Sequence, residues 1–219
     1  MEKQKEGRGP KREKAEKKNR LSAEEIMDLL TEQKKTDRKI KEELEGMGKS
    51  FVALILIRPE KYQLVRGSLL KFFSGKENLP GIFVTTNMPY GKLVEELEKQ
   101  GTRTDKIKFI DLISRIGSYS VKENINADFL EAPTELTELM LSIEKSAKQI
   151  HGKKFLIIDS VSTLLIYNEA PTIEKFVHSL IGKLSTEETK TALLVSESEE
   201  TKAIVHTISH FCDKVVRVQ

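Results

Sequence analysis

The sequence holds 219 residues, 38% apolar and 32% charged, which is room for one substantial soluble domain and an appendage. Its longest apolar run, residues 51–57, is far too short to span a bilayer, and the charged start has no apolar stretch of the secretory kind, so a cytoplasmic protein with no membrane contact is expected. The single cysteine, Cys212, excludes an intramolecular disulfide and any site of paired thiolates within one chain.

The formal charge of +3 is unevenly spread: residues 1–20 carry nine Lys or Arg against four Glu, and residues 21–48 carry five against eight. Residues 1–20 have no large apolar side chain beyond Met1 and are expected to form a disordered basic tail. That tail can make weak nucleic-acid contact by counterion release, but it has no aromatic residue to stack on a base. Ser22 and Glu25 have the spacing of a capping box ahead of "IMDLL", which predicts an amphipathic helix over 21–45. Its apolar positions (Ile26, Leu29, Leu30, Ile40, Leu44 and Met47) are interrupted by "TEQKKTDRK" and are too sparse for a coiled coil. Such a helix can pack on the domain, meet a second copy or dock on a partner.

From residue 46 to the end the pattern is that of one α/β domain. Strands are predicted at 51–57, 81–86, 107–112, 154–160, 191–196 and 214–218. Helices are predicted at 59–73, with Tyr62, Val65, Leu69, Phe72 and Phe73 as its apolar positions, and at 90–100, 134–150 and from Pro171 onward, each with apolar residues at helical spacing. Continuous apolar strands alternating with one-sided helices imply a mainly parallel sheet covered on both faces, a three-layer arrangement that places ligands beyond the carboxyl ends of the strands. Residues 114–133 are polar and long for a structureless connection, hence a candidate functional loop.

The stretch "GMGKS", Gly46 to Ser50, looks like the end of a phosphate-binding loop but fails two tests. The loop needs a glycine five residues before Gly48, where Glu43 stands, and it must open a helix, whereas Ser50 leads into a strand. The expected role is a turn feeding that strand. The proper place for a phosphate loop, after the first strand, holds "RPEKYQLVRGSLLKFF", with one glycine, no Gly-Lys pair and Pro59 where the loop should bend. Lys61 or Arg66 can still reach an anion from there. At the far side of the sheet, "FLIIDS" puts Asp159 at a strand tip, where a carboxylate can hold magnesium-bound water beside a triphosphate; a structural cap is the plainer alternative.

Taken in order, "GKSFVALILI", "GIFVTTNMPYGKLVEELEKQG", "IKFIDL", "KFLIIDSVSTLL", "TALLVSESEE" and "HFCDKVVRV" resemble the RecA-like ATPases of the clock-protein and recombinase-paralogue type, over residues 45–219. The resemblance implies a RecA-like domain over 46–219 and suggests an archaeal origin. In that family a glycine-rich loop holds ATP, acids after the second strand activate water, and the Walker B aspartate organises magnesium. On this chain the loop falls on Arg58 to Arg66 with a degenerate Walker A sequence, the acids fall on Thr85, Thr86 and Asn87, and Asp159 alone matches. The implied protein is a noncatalytic pseudo-ATPase, with no catalytic residues, no cofactor and no metal, acting through a protein partner or as a homo-oligomer. The alternative is an atypical magnesium-dependent ATP-binding protein whose ligand-contacting residues are Asp159, Ser160, Lys61 and Arg66.

Other polar residues invite weaker readings. His206 and His210 share a face if 201–211 is helical, but Cys212 points away from them, so packing or surface roles are expected over a metal site; His151 and His178 have no predicted nucleophile beside them. Ser160 and Ser196 follow strands without a nucleophile-elbow sequence and read as caps. The acidic "SESEE", 196–200, is expected to face water. The middle loop mixes Arg115 and Lys122 with Glu123, Asp128 and Glu131 around Tyr119, which suits protein contact better than a DNA groove.

Overall fold

The computed structural model describes residues 22–117, 126–185 and 187–218. The proposed basic tail, 1–20, and the middle-loop residues Tyr119, Lys122 and Glu123 lie outside them, as does the side chain of Glu25 in the expected capping box. Helix α1 (Ala23–Leu44) precedes the domain. The domain then runs β1 (Phe51–Ile57), a 3-10 turn (Pro59–Lys61), α2 (Tyr62–Leu70), a π-helical turn (Lys71–Lys76), β2 (Gly81–Thr85) and α3 (Tyr90–Lys99). It continues with β3 (Ile107–Asp111), β4 (Ala127–Phe129), α4 (Leu136–Gln149), β5 (Lys154–Asp159), α5 (Val161–Tyr167), α6 (Ala170–Leu184), β6 (Thr189–Ser196), α7 (Lys202–Ser209) and β7 (Lys214–Val218).

The strands form one seven-stranded sheet in the order β4-β3-β2-β5-β6-β1-β7, and every pairing is parallel. The expectation of a mainly parallel sheet is met by a wholly parallel one. Every residue of β1 is buried, because alternate side chains enter two different cores. Val52, Leu54 and Leu56 join α4, α5, α6 and α7 on one face. Phe51, Ala53, Ile55 and Ile57 join α1, α2, the π turn and α3 on the other. A strand that must be apolar on both sides reads as the continuous run "FVALILI".

Three local features depart from the sequence reading. The stretch expected as one helix over 59–73 is a 3-10 turn, an α-helix and a π turn in succession. The π turn lets the adjacent Phe72 and Phe73 both turn inward: Phe73 stacks on Phe155 at 5.3 Å and 10°, and Phe72 meets Phe73 edge-on at 5.2 Å. The 114–133 segment contains β4, which pairs with β3 through Phe109, Ile110 and Asp111. Helix α5 follows β5 directly, capped by Ser160, whose side chain accepts from the Thr163 amide.

"GMGKS" is a turn, as expected, and it lies at the amino end of β1, the edge opposite to the strand tips. Gly46 and Gly48 have φ of +87° and +43°, the left-handed region that glycine enters without a steric cost. Ser50 donates to the Thr189 carbonyl at 3.1 Å, and Lys49 pairs with Glu188 at 3.3 Å. Among the described residues no helix is long and apolar enough to cross a membrane.

The first residue of β2 has a stricter requirement. A Cβ on Gly81 would lie 2.4 Å from the ring of Phe155, the same ring that Phe73 stacks upon. Neither ring can retreat in a filled core, so Gly81→Ala is expected to destabilise by about 1–3 kcal/mol, the usual cost of overpacking. Urea unfolding monitored by circular dichroism measures it; a variant as stable as the parent would contradict the close approach.

Candidate functional site

Because all strands are parallel, the tips of β1, β2, β3, β5 and β6 share one edge, where ligands of such sheets bind. Asp159 ends β5 there and is 1% exposed. Two residues of α2 meet it, one helical turn apart and therefore on one face. The Tyr62 hydroxyl donates to Asp159 Oδ1 in a short hydrogen bond, and Arg66 Nη1 stands 3.8 Å from Oδ2. Arg66 is itself 3% exposed and donates through Nη2 to Glu96 Oε1 of α3 at 2.9 Å. The result is a chain, Tyr62–Asp159–Arg66–Glu96, buried at Asp159 and Arg66 and half-buried at its two ends, that ties β5, α2 and α3 together.

The chain is not fully satisfied. Asp159 Oδ2 and Arg66 Nε are both buried without a hydrogen-bond partner among the described residues. Burial pushes the Asp159 carboxyl above its ordinary range, against the opposing pull of the Arg66 cation and of the hydrogen bonds from Tyr62 and Asn87. Burial, and then the negative charge of Asp159, pushes the Tyr62 hydroxyl well above its usual value. Tyr62 is therefore a donor throughout the ordinary pH range.

Around this chain the edge is braced by hydroxyls. Thr86 accepts from the Ser160 amide at 2.7 Å through Oγ1, and donates to the Asp159 carbonyl through its amide at 2.8 Å and its hydroxyl at 2.9 Å. Thr85 donates to the Met88 carbonyl at 2.6 Å. Asn87 Nδ2 lies 3.5 Å from Asp159 Oδ1 and 3.4 Å from Ser160 Oγ, and its Oδ1 accepts from Thr163. Ser160 Oγ is 3.0 Å from both Ser162 and Thr163, and Ser162 accepts from the Ser196 amide at 3.1 Å. The second carboxylate at this edge, Asp111, is saturated: it accepts from the amides of Tyr90, Ile113 and Ser114 and from the Ser114 hydroxyl, all within 2.6–2.8 Å.

Of the four residues expected to contact a ligand, the fold brings Asp159, Ser160 and Arg66 together and sends Lys61 elsewhere. Lys61 pairs with Glu32 of α1, on the side of α2 that faces the helical extension. The sequence reading placed Tyr62 among core positions and gave Glu96 no role. The spacing of Tyr62 to Arg66 was the available signal, since it points both residues of one helix toward whatever stands opposite.

The histidines have no common ligand geometry. The rings of His206 and His210 are perpendicular with centroids 5.0 Å apart, and Cys212 donates its thiol to the Ile208 carbonyl at 3.3 Å. Burial pushes that thiol up to about 12, which leaves it unreactive near neutrality. His178 stacks on Phe211 at 4.7 Å. Among the described residues no group of three His, Cys, Asp or Glu is placed to hold a metal ion.

A family model described as "ATPase: KaiC" matches residues 71–219. No curated protein matches the sequence. Solved structures that share the fold include two from one archaeon. One is a KaiC-like protein from the hyperthermophilic archaeon Pyrococcus horikoshii, with a TM-score of 0.57 at 16% identity, covering 77% of this chain and 72% of that one. The other is an uncharacterized protein of the same organism in complex with an unknown peptide, with a TM-score of 0.62 at 11% identity, covering 83% and 82%.

Tyr62→Phe removes the donor to Asp159 Oδ1 without changing packing volume. It is expected to cost about 1–3 kcal/mol at neutral pH, the range for a buried acceptor that loses its good donor, since only the long 3.5 Å contact from Asn87 Nδ2 then remains at Oδ1. The sign with pH follows from the raised folded value. The contribution of Asp159 is fully present below the ordinary value of 3.8 and is lost as pH rises through the folded one. Losing Tyr62 raises the folded value further, so the penalty of the variant should grow from acid to neutral pH. Parallel urea titrations at acid and neutral pH check this, and a penalty that shrinks on raising pH would reject it.

Proposed function

The chain belongs to the KaiC family of ATPases, and we propose that it is a noncatalytic member, a pseudo-ATPase whose domain serves protein interaction or regulation. The observation that carries this reading is the enclosure of Asp159 by Tyr62 and Arg66. Both come from the segment where the family's phosphate loop stands, so the chain's own side chains fill the place of the nucleotide's magnesium end.

The residues present do not fit a magnesium triphosphate. A phosphate cradle is made of backbone amides curling around oxygen atoms. Here Pro59 has no amide hydrogen, the Lys61 amide bonds the Arg58 carbonyl at 2.9 Å, and the Tyr62 amide bonds the Pro59 carbonyl. A dication on Asp159 would also stand beside the Arg66 guanidinium. At an effective dielectric of about 20, unit charges about 4 Å apart interact by about 4 kcal/mol, and twice that for a dication. Arg66 would have to leave, exposing Glu96 and breaking a buried pair. Thr85, Thr86 and Asn87, at the positions of the family's water-activating acids, are neutral and engaged in bracing the edge.

Two further points support the reading. The family match begins at residue 71, downstream of β1 and of the connection to α2. A protein of the same fold is held with a peptide, so this frame is compatible with protein ligands.

Calorimetric titration with ATP and magnesium, on the parent chain and on Asp159→Ala, tests the proposal. No saturable heat and an unchanged melting temperature are expected for both. A ligand at a hundred times its dissociation constant adds about 2.7 kcal/mol to stability, so real binding cannot hide from the melting curve. Saturable, magnesium-dependent binding that disappears in Asp159→Ala would overturn the reading and establish the atypical ATP-binding alternative.

A further inference from the structure

Helix α1 lives in two environments. Thr36, Ile40 and Leu44, four residues apart, are buried against the domain. Before Thr36 no described side chain of the helix is buried, so its first half overhangs. The overhang is apolar where it meets solvent: Met27 is 64% exposed, Leu30 51% and Leu29 47%. Met27 and Leu30 are continued along one helical stripe by Lys34, Arg38 and Lys41, at spacings of three and four. These three basic residues line a groove of about 360 Å³ between α1 and the α2–π segment, together with Lys71, Lys76 and the ring of Phe72. Asp37 is the one acid on its wall.

The charges of the helix divide in the same way. Its first eleven residues hold Glu24, Glu25, Asp28 and Glu32 and no base, while residues 34–41 hold five bases against Asp37. We propose that the overhanging half of α1 docks in the basic groove of a second copy of the chain, by antiparallel pairing of two α1 helices about a two-fold axis near Gln33. In that arrangement Met27 and Leu30 lie on the aliphatic stems of Lys34 and Arg38, which bury hydrocarbon while their charged heads stay wet. Glu24 and Asp28 then meet the bases of the groove. The parallel arrangement sets acid on acid and base on base. A two-fold axis uses both overhangs and both grooves at once, the self-complementary contact of a closed dimer.

The present partners of the groove's bases do not oppose this. Arg38 pairs with Glu42 at 2.7 Å, Lys41 with Glu45 at 3.8 Å, and Lys71 and Lys76 with Asp37 and Glu45; exposed pairs of this kind are weak and rearrange. The pairing is independent of the nucleotide edge, which lies at the strand tips.

Sedimentation velocity of the full chain over a wide concentration range tests the dimer. The parent should dimerise, more weakly as salt rises. Met27→Asp with Leu30→Asp should raise the dimer dissociation constant about a hundredfold or more while leaving the melting temperature of the domain unchanged, because both residues are exposed. Glu24→Lys with Asp28→Lys should be monomeric, as should Lys34→Glu with Arg38→Glu, and an equimolar mixture of these two variants should recover the dimer. A monomeric parent, a dimer indifferent to the Met27 and Leu30 substitutions, or a mixture that stays monomeric would each overturn the proposal. So would a monomeric parent that binds single-stranded DNA in a manner lost in Lys34→Glu with Arg38→Glu, which would assign the groove to phosphate.

Discussion

A carboxylate taken wholly out of water at the tip of β5 is the constraint on which the functional edge depends. An ion in that position needs partners or must give up its charge. Asp159 finds its partners on α2, one turn into the helix and again at its start, so the placement of α2 against the sheet is dictated by that need as much as by Val65 and Leu69 in the core. Arg66 in turn is a buried cation, and Glu96 on α3 answers it. Removing either Asp159 or Arg66 leaves the other charge buried without its partner, at a cost of about 3–5 kcal/mol. The incomplete hydrogen bonding of Oδ2 and Nε makes the set a compromise rather than a stability optimum.

That compromise is intelligible in an ATPase frame. In the family an aspartate at this strand tip is kept company by the nucleotide's metal and water. The neighbouring connection is a proline and a 3-10 turn; on the reading proposed above it stands where an amide cradle would, and the desolvated aspartate still has to be answered. Here a phenol and a guanidinium do so from within the chain. The hydroxyls of Thr86, Ser160, Ser162 and Thr163 complete the closure by spending their hydrogen bonds on one another and on the strand ends. The same edge that favours a ligand by topology is thereby stiffened.

The sequence carried the frame well and the closure poorly, for a physical reason. Strands buried on both faces announce themselves as runs such as "FVALILI", and one-sided helices by their period, so the layers, their order and Asp159 at a tip were legible. The rejection of "GMGKS" was legible too, because spacing and context are local. The partner of Tyr62 is not local: Asp159 lies 97 positions away, and a tyrosine on the inner face of a helix looks like any other core residue. The same applies to Lys61, whose charge suggested an anion until Glu32 was seen across from it. β4 was hidden because three residues make a strand only when β3 is there to pair with, and the π turn because it exists to seat two consecutive phenylalanines.

Helix α1 is joined to the closed edge through α2, and magnitudes decide how far one can influence the other. Besides Ile40 and Leu44, the contacts are polar: Ser68 accepts from Gln33 and donates to Asp37, each at 2.8 Å, and Lys61 and Lys71 pair with Glu32 and Asp37. Partly exposed pairs of this kind are weak. The buried set at Asp159 resists opening far more strongly, and Val65, Leu69 and Leu70 hold α2 in the core from the other side. A partner that engages α1 therefore has enough leverage to rearrange the surface pairs of that helix and too little to withdraw Tyr62 and Arg66. The surface pairs of α1 and the buried set at the strand tips are in this way separable features of one fold.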